Sequence, residues 1–350
     1  MQPNDSLPKV PFPSRRYLWR LKRQQLLRSD APILVGPFRT EIGFEALYWI
    51  PFIERLKADG IDPARLIPIS RGGASVWYNT PTGLELFAMR TPQQVRVENR
   101  LQREQYHMLK QMRVTAFDRA VLRDAAATLG LRRYQTLHPA WMYQAFDPFW
   151  DGRRGMAWLE RQVQFTHIPP PPLPGTLQLP EAFVAMRWYL RPTFPASELV
   201  GSLVSACIQR VAAQIPVILL HHDLYMDDHR DVIAKTLPPN VYRLQDLAEV
   251  NTETHLAVQS AILARARAFV GTYGGFAQLA LRFGRPVVSF YEGWGGTAFA
   301  HKHLTDALAI LTRTPFQVWS IHEIALAQTV LPVVLPKTTE APAPTPAGVY

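Results

Sequence analysis

Between Arg265 and Tyr291 the chain reads RARAFVGTYGGFAQLALRFGRPVVSFY, and no other stretch restricts the fold so tightly. Ala268, Phe269 and Val270 form an apolar run short enough for a buried strand, which Gly271, Gly274 and Gly275 interrupt. Phe276, Leu279, Ala280 and Phe283 then fall at i, i+3, i+4 and i+7, one face of a helix. Gly284 suits the position just past a helix end, and Pro286 cannot continue one. Val287 to Tyr291 is apolar again and reads as the next strand. Two strands joined through one helix must run parallel, with a right-handed crossover.

The same grammar extends through most of the 350 residues. Strands are expected at Pro32–Val35, Arg65–Ser70 and Thr136–His138, and beyond the midpoint at Ala182–Met186, Val217–Leu220 and Val241–Leu244. Helical patterns cover Ile42 to about Ala58, where Pro51 should introduce a kink, much of Thr91–Leu131, and then Ser197–Ala213 and Leu256–Arg267. Ile168 to Pro174, IPPPPLP, is stiff and reads as a linker. The expected organisation is therefore a basic segment at 1–29, a Rossmann-like domain at 30–167, a proline-rich linker at 168–180, a second Rossmann-like domain at 181–336 and a disordered Pro/Ala/Thr-rich tail at 337–350. The fold class is α/β, with two such domains facing a cleft.

A net charge of +10 points to anionic company. Arg15, Arg16, Arg20, Lys22 and Arg23, interleaved with Trp19 and leucines, could lie on an anionic membrane surface or pack as an ordinary helix. No helix-turn-helix, zinc-finger or RNA-binding signature is present, so nucleic acid is not an expected partner. The lone cysteine, Cys207, fits a reducing compartment. With no apolar run approaching ~18 residues and no signal peptide at its start, the chain is expected to be cytoplasmic.

Candidate site residues sit where strands end. In the second half these are Arg187, His221 and the turn Thr272, Tyr273, Gly274 and Gly275, whose glycines would let an anion approach the helix N–H groups. The plainer alternative is that the glycines only supply positive φ and Thr272 caps the helix. In the first half, Glu41 and Glu45 lie on one face at a helix start, as a carboxylate pair for proton transfer or as a complement to the helix dipole. Arg71, Gly72 and His138 follow the second and third strands. His221, His222, Asp223, Asp227, Asp228 and His229 invite a metal reading, but their spacing matches no ligand motif and turns are naturally rich in Asp. The glycine pattern is neither a dinucleotide fingerprint nor a P-loop.

The segments RTEIGFEALYW, FVAMRWY and ARARAFVGTYGGFAQLALRFGRPVVSFY together resemble GT-B glycosyltransferases. The last is similar to the donor side of heptosyltransferases and to a group of bacterial polysaccharide glycosyltransferases. The resemblance implies a nucleotide-sugar donor held by the second half, with Arg187, His221 and residues 272–275 around its diphosphate. It implies a glycan or lipid-linked glycan acceptor near Arg71, Gly72 and His138, a position for Glu41 matching the family's acidic base, no cofactor and no metal. A non-catalytic nucleotide- or glycan-binding protein, or a sugar-nucleotide epimerase, would share the same architecture.

Overall fold

The computed structural model describes residues 12–106, 111–175, 177–224, 230–232, 236–293 and 298–323, the side chains of 12–16, 105, 106, 298, 299 and 323 excepted. Two parallel sheets organise it. The first holds β1 (Ile33–Val35), β2 (Leu66–Ser70), β3 (Leu84–Glu85) and β4 (Gln135–Leu137), in the order β3-β2-β1-β4. The second uses all but β6 and β8 of the remaining strands, β5 (Val184–Arg187), β6 (Tyr189–Leu190), β7 (Val217–Leu219), β8 (Arg230–Asp231), β9 (Val241–Arg243), β10 (Ala268–Thr272), β11 (Val287–Tyr291) and β12 (Phe316–Ser320). Its order is β12-β11-β10-β5-β7-β9, and β6 and β8 form a separate antiparallel pair.

Counted within the second half, that order is 3-2-1-4-5-6, the doubly wound arrangement, and the first sheet is its 3-2-1-4 portion. In such sheets the crevice opens where the order reverses, beyond the carboxyl ends of the strands. Here the reversals fall between β1 and β4 and between β5 and β10. Glu41 and His138 follow the first pair of strands, and Arg187 and Tyr273–Gly275 end or follow the second. Gly271 lies opposite Arg187 in the β5–β10 register. A Cβ at Gly271 would stand 2.1 Å from the Arg187 carbonyl oxygen, so only glycine fits.

The helix expected over Ile42–Ala58 forms in three segments: α at Ile42–Phe44, π at Glu45–Trp49 and α again at Ile50–Ala58. Pro51 sits at the start of the last segment, so the irregularity precedes the proline rather than following it. Ile50 N–H turns back to the Glu45 carbonyl. The next donor in that register would be residue 51, which has none. The Ala46 carbonyl is left without a helical partner, and Arg282 Nη1 donates to it from the other half at 2.7 Å.

One apolar cluster runs through both halves, from Val35, Leu47, Trp49 and Ile53 to Leu256, Phe276, Leu279 and Phe283. The helix Gly275–Arg282 is its centre, and every residue from Phe276 to Arg282 is buried. Its expected apolar face is therefore only part of what it buries, because the first half covers the opposite side. Gly284 has φ +69, and the Arg285 N–H closes on the Ala280 carbonyl, ending the helix where Gly284 and Pro286 foretold. The described residues of the proline-rich segment form no helix or strand, but the segment is strapped down: Ile168 N–H donates to the Arg282 carbonyl at 2.7 Å and Arg265 Nη1 to the Pro171 carbonyl at 2.8 Å. Among the described residues no helix is long and apolar enough to cross a membrane. The tail 337–350 lies outside the described residues.

Candidate functional site

The two sheets present their carboxyl ends to the start of the helix Gly275–Arg282. On the first-half side, Ile42 and Gly43 pack against it so closely that a Cβ on Gly275 would lie 2.9 Å from the Ile42 Cβ, and one on Gly43 2.3 Å from the Gln278 amide oxygen. Glu41 precedes this contact, exposed, at the helix N-cap position. Its side chain makes no capping hydrogen bond, so the simple cap role is not the one it plays. Beside it, Tyr143 is buried; burial drives the phenol well above its usual range, Thr40 opposes and the Glu41 charge adds to the rise. Glu41 thus stands at the mouth of an aromatic wall of Phe44, Tyr143 and Trp150, all within 6.1 Å of one another by ring centroid.

On the second-half side, the Arg187 guanidinium lies 4.5 Å over the ring of Phe276, the second residue of the same helix. Stacking fixes the plane of the cation and leaves its edges for hydrogen bonds. Its Nε is 3.5 Å from Asp231 Oδ1. A second arginine reaches the glycine turn itself: Arg191 Nη1 donates to the Tyr273 carbonyl at 3.3 Å and lies where a Cβ on Gly274 would be, 2.6 Å away. The sequence signal for Arg191 was its position four residues after Arg187 in MRWYLR. Ile42, Gly275, Phe276 and Arg187 thus form a continuous line of contact from the carboxylate side to the cation side.

Other expected residues are committed elsewhere. Glu45 is fully buried, accepting from Ser70 Oγ at 2.6 Å, Arg71 Nη1 at 2.6 Å and Tyr78 Oη at 2.5 Å. A carboxylate held by three donors with no exposure is an anchor for Arg71 rather than a second proton acceptor. Arg71 in turn lies 5.5 Å over the Phe38 ring. Gly72 is glycine because the His255 ring lies 2.3 Å from where its Cβ would be, and the Gly72 and Gly73 N–H groups bind the Glu85 carboxylate at 2.8 and 2.6 Å. Those amides are therefore taken by the chain's own side chain.

His138 is buried with Nε2 at 3.2 Å from Asp118 Oδ2, and its Nδ1 accepts from the Ala140 N–H. Arg39 Nε binds the same Asp118 at 3.0 Å. Burial alone would raise the Asp118 carboxyl, but His138 and Arg39 together hold it well below the usual carboxylate range. This network stiffens the loop carrying Glu41, and nothing in the charged stretch 91–131 pointed to Asp118. Thr272 neither caps the helix nor faces the crevice: its hydroxyl accepts from Tyr189 N–H at 3.1 Å and faces the Tyr189 carbonyl at 3.2 Å. The Tyr273 phenol is 3.4 Å from Thr305 Oγ1, in the helix Ala298–Thr312 behind the sheet ends. The Tyr189 hydroxyl stands 2.1 Å from the place of a Gly274 Cβ.

His221 keeps its Nε2 against the Trp188 backbone, 3.1 Å from the carbonyl, while its buried Nδ1 has no hydrogen-bond partner among the described residues. Burial pulls this imidazole below its ordinary pKa, so it is neutral. His255, in contact with His222 at 5.2 Å between ring centroids, is pulled down to about 3 by burial and then by that neighbour. Asp223 accepts from Gln245 Nε2. Asp227, Asp228 and His229 lie outside the described residues, and among those described no group of three His, Cys, Asp or Glu is placed to hold a metal ion.

Burial pushes the Glu85 carboxyl up to about 7, against the N–H groups of Phe87, Gly73 and Gly72 and the charge of Arg71. A carboxyl raised on folding holds its proton more tightly in the native state. Its contribution to stability is complete below the usual value near 4.5 and is lost as pH rises through about 7. Urea midpoints should therefore fall between those pH values more steeply for the wild type than for Glu85→Gln. Parallel curves for the two proteins would show that Glu85 titrates normally.

No family model matches the sequence, and no curated protein matches it. Solved structures of similar shape include the E. coli heptosyltransferase WaaC with ADP, at TM-score 0.40 and 11% identity, covering 87% of this chain and 99% of that one. A glycosyl transferase family 9 protein from Veillonella parvula superposes at TM-score 0.41 and 11% identity over 87% of this chain and 90% of that one. A UDP-N-acetylglucosamine 2-epimerase superposes at 0.36 and 12%, over 86% and 87%. Likenesses this distant do not choose among activities.

Proposed function

We propose that the chain is a glycosyltransferase that moves a sugar from a nucleotide-sugar donor to a hydroxyl of a glycan or lipid-linked glycan. The observation that carries this reading is the meeting of the two switch points at one helix start, with a carboxylate, Glu41, on one side and the arginines Arg187 and Arg191 on the other. Glycosyl transfer needs that division. The acceptor oxygen bonds to the anomeric carbon, the bond from that carbon to the diphosphate oxygen breaks, and the departing diphosphate keeps the electron pair. Glu41 receives the acceptor proton, while Arg187, Arg191 and the N–H groups at the start of Gly275–Arg282 meet the developing charge. Preorganised cations of this kind do the work without a metal ion or other cofactor. In this reading residues 30–167 take the acceptor, residues 181–336 the donor, and the protein works in the cytoplasm.

Arg187→Ala is expected to weaken nucleoside-diphosphate binding by ~1.5–3 kcal/mol, the range for a hydrogen bond to a charged group. Titration calorimetry on variant and wild type measures it, after a thermal-shift screen of nucleoside diphosphates has identified the base. Unchanged affinity in a folded variant removes Arg187 from the site. Conversion of a nucleotide sugar with no acceptor present would assign an epimerase instead, and diphosphate binding with no turnover in either assay would leave a binding protein.

A further inference from the structure

The basic segment at the start of the chain forms a helix, Phe12–Arg28, packed on the first half. Trp19 meets Phe52 and Trp141, at 4.7 and 6.1 Å between ring centroids, and Leu26 is fully buried. On this packed side a cavity of about 240 Å³ opens, to which the helix contributes Trp19, Arg20 and Arg23. The facing helix Ile50–Ala58 and the residue after it contribute Phe52, Arg55 and Asp59, whose i, i+3, i+7 spacing puts them on one face. Trp158, from the short helix Met156–Glu160, closes a third side.

One carboxylate organises the charge there. Asp59, its side chain 8% exposed, takes Arg23 through Nε and Nη2 at 2.9 and 2.8 Å and Arg55 through Nε at 3.1 Å. The fold thus orders two long side chains in advance, a cost that a ligand would otherwise bear. Nη1 of Arg23, both terminal nitrogens of Arg55 and the guanidinium of Arg20 make no hydrogen bond among the described residues. Three cations against one carboxylate leave the lining with surplus positive charge. The rest of it is aromatic rings and the amides of Gln144 and Gln162. A sugar ring has a C–H face that packs on aromatic rings and a rim of hydroxyls that amide and guanidinium groups bind. An acid group on such a sugar meets the surplus charge, because the guanidinium fork matches a carboxylate.

We infer that this cavity is a carbohydrate site separate from the crevice, for an acidic sugar unit of a glycan, with the sugar's carboxylate among Arg20, Arg23 and Arg55 and its apolar face against Trp19, Phe52 and Trp158. Free phosphate would use the arginines but gain nothing from the rings. The volume lies below the ~300–1,000 Å³ of pockets that enclose a drug-sized ligand, so it suits one ring of a chain rather than a whole nucleotide. The site uses no residue of the crevice and stands or falls separately from the proposed transfer activity. In an enzyme that extends an acidic glycan, it would hold the chain at a distance from the reacting end and raise that end's effective concentration at the crevice.

The test is titration calorimetry of the full chain with three acidic probes, a hyaluronan tetrasaccharide, trigalacturonate and sialyllactose, and with neutral maltotriose. At least one acidic probe is expected to bind about ten-fold or more tightly than maltotriose, with an affinity that declines on adding salt. Arg20→Gln with Arg55→Gln should weaken that probe about ten-fold and leave maltotriose unchanged. Trp158→Leu should weaken both by about five-fold, through the lost ring face. UDP and ADP should displace neither. Failure of all three acidic probes to bind, equal affinity for acidic and neutral sugars, or wild-type binding by the folded Arg20→Gln and Arg55→Gln protein overturns the proposal. Displacement by UDP or ADP overturns it as well, by placing the sugar in the crevice. So does full competition by inorganic phosphate combined with no effect of Trp158→Leu, which would leave a site for small anions only.

Discussion

Glu41→Gln is expected to lower turnover by roughly 10²- to 10⁴-fold, or about 3–5 kcal/mol of barrier, while donor affinity and melting temperature stay near wild type. The substitution keeps the size of the side chain and removes its basicity. Two features of the structure sharpen the expectation. Glu41 makes no side-chain cap, so replacing it removes no capping hydrogen bond from the helix start. Its charge also raises the Tyr143 phenol, so the neutral amide should make Tyr143 easier to ionise and leave the aromatic wall intact. A helix-dipole role predicts the reverse, a small loss of stability and nearly normal rate. Donor affinity, melting temperature and turnover measured on one sample separate the two, and turnover within a few-fold of wild type ends the catalytic assignment.

Glu45 shows what the sequence could and could not say about this loop. One turn after Glu41 on the same helix, it looked like an equivalent carboxylate, and the spacing was correct. What spacing cannot reveal is the partner. Ser70, Arg71 and Tyr78 come from β2 and the segment after it, and only the folded sheet brings them to Glu45. The same holds for Asp118, which lies in a helix with an ordinary capping box yet also secures Arg39 and His138.

Glycines were legible as places where a side chain is excluded, but not for what excludes it. The turn after β10 suggested room for a ligand; the close approaches there come from Tyr189, Arg191 and Ile42. At Gly72 the neighbour is His255 from the other half. By contrast, the strand–helix–strand order was readable because buried parallel strands are largely apolar and the stop at Gly284 and Pro286 is local chemistry. The two-residue strands β3, β6 and β8 carry no periodicity that a sequence could show, and no glycine stop like that at Gly284 separates the helix Ala298–Thr312 from β12. The place of Arg187 was legible for a physical reason: it is the last residue of a buried apolar strand, where a cation leaves the sheet.

The second large effect is expected at Arg282, a fully buried cation whose two hydrogen bonds both reach the first half, at its long helix and just before the linker. Nη1 donates to the Ala46 carbonyl at 2.7 Å and Nε to the Thr166 carbonyl at 3.1 Å. Burial lowers its pKa to about 10, so the charge itself is disfavoured there, and removing it relieves part of what is lost. The carbonyls decide the sign. Arg282→Met fills most of the volume but leaves two buried acceptors unmet, at about 1–3 kcal/mol each, for a net destabilisation of roughly 2–4 kcal/mol after that relief. The register of the helix offers a specific control. Ala46 lacks a helical donor because Pro51 has no N–H, so Pro51→Ala restores one within the same helix. In the Arg282→Met background Pro51→Ala should recover about 1 kcal/mol more than it does in the wild type, the coupling expected of two groups serving one acceptor. Denaturant midpoints of the four proteins give that difference directly. Strict additivity would mean that Arg282 stabilises the junction by filling space, and not by supplying the hydrogen bond that the proline withholds.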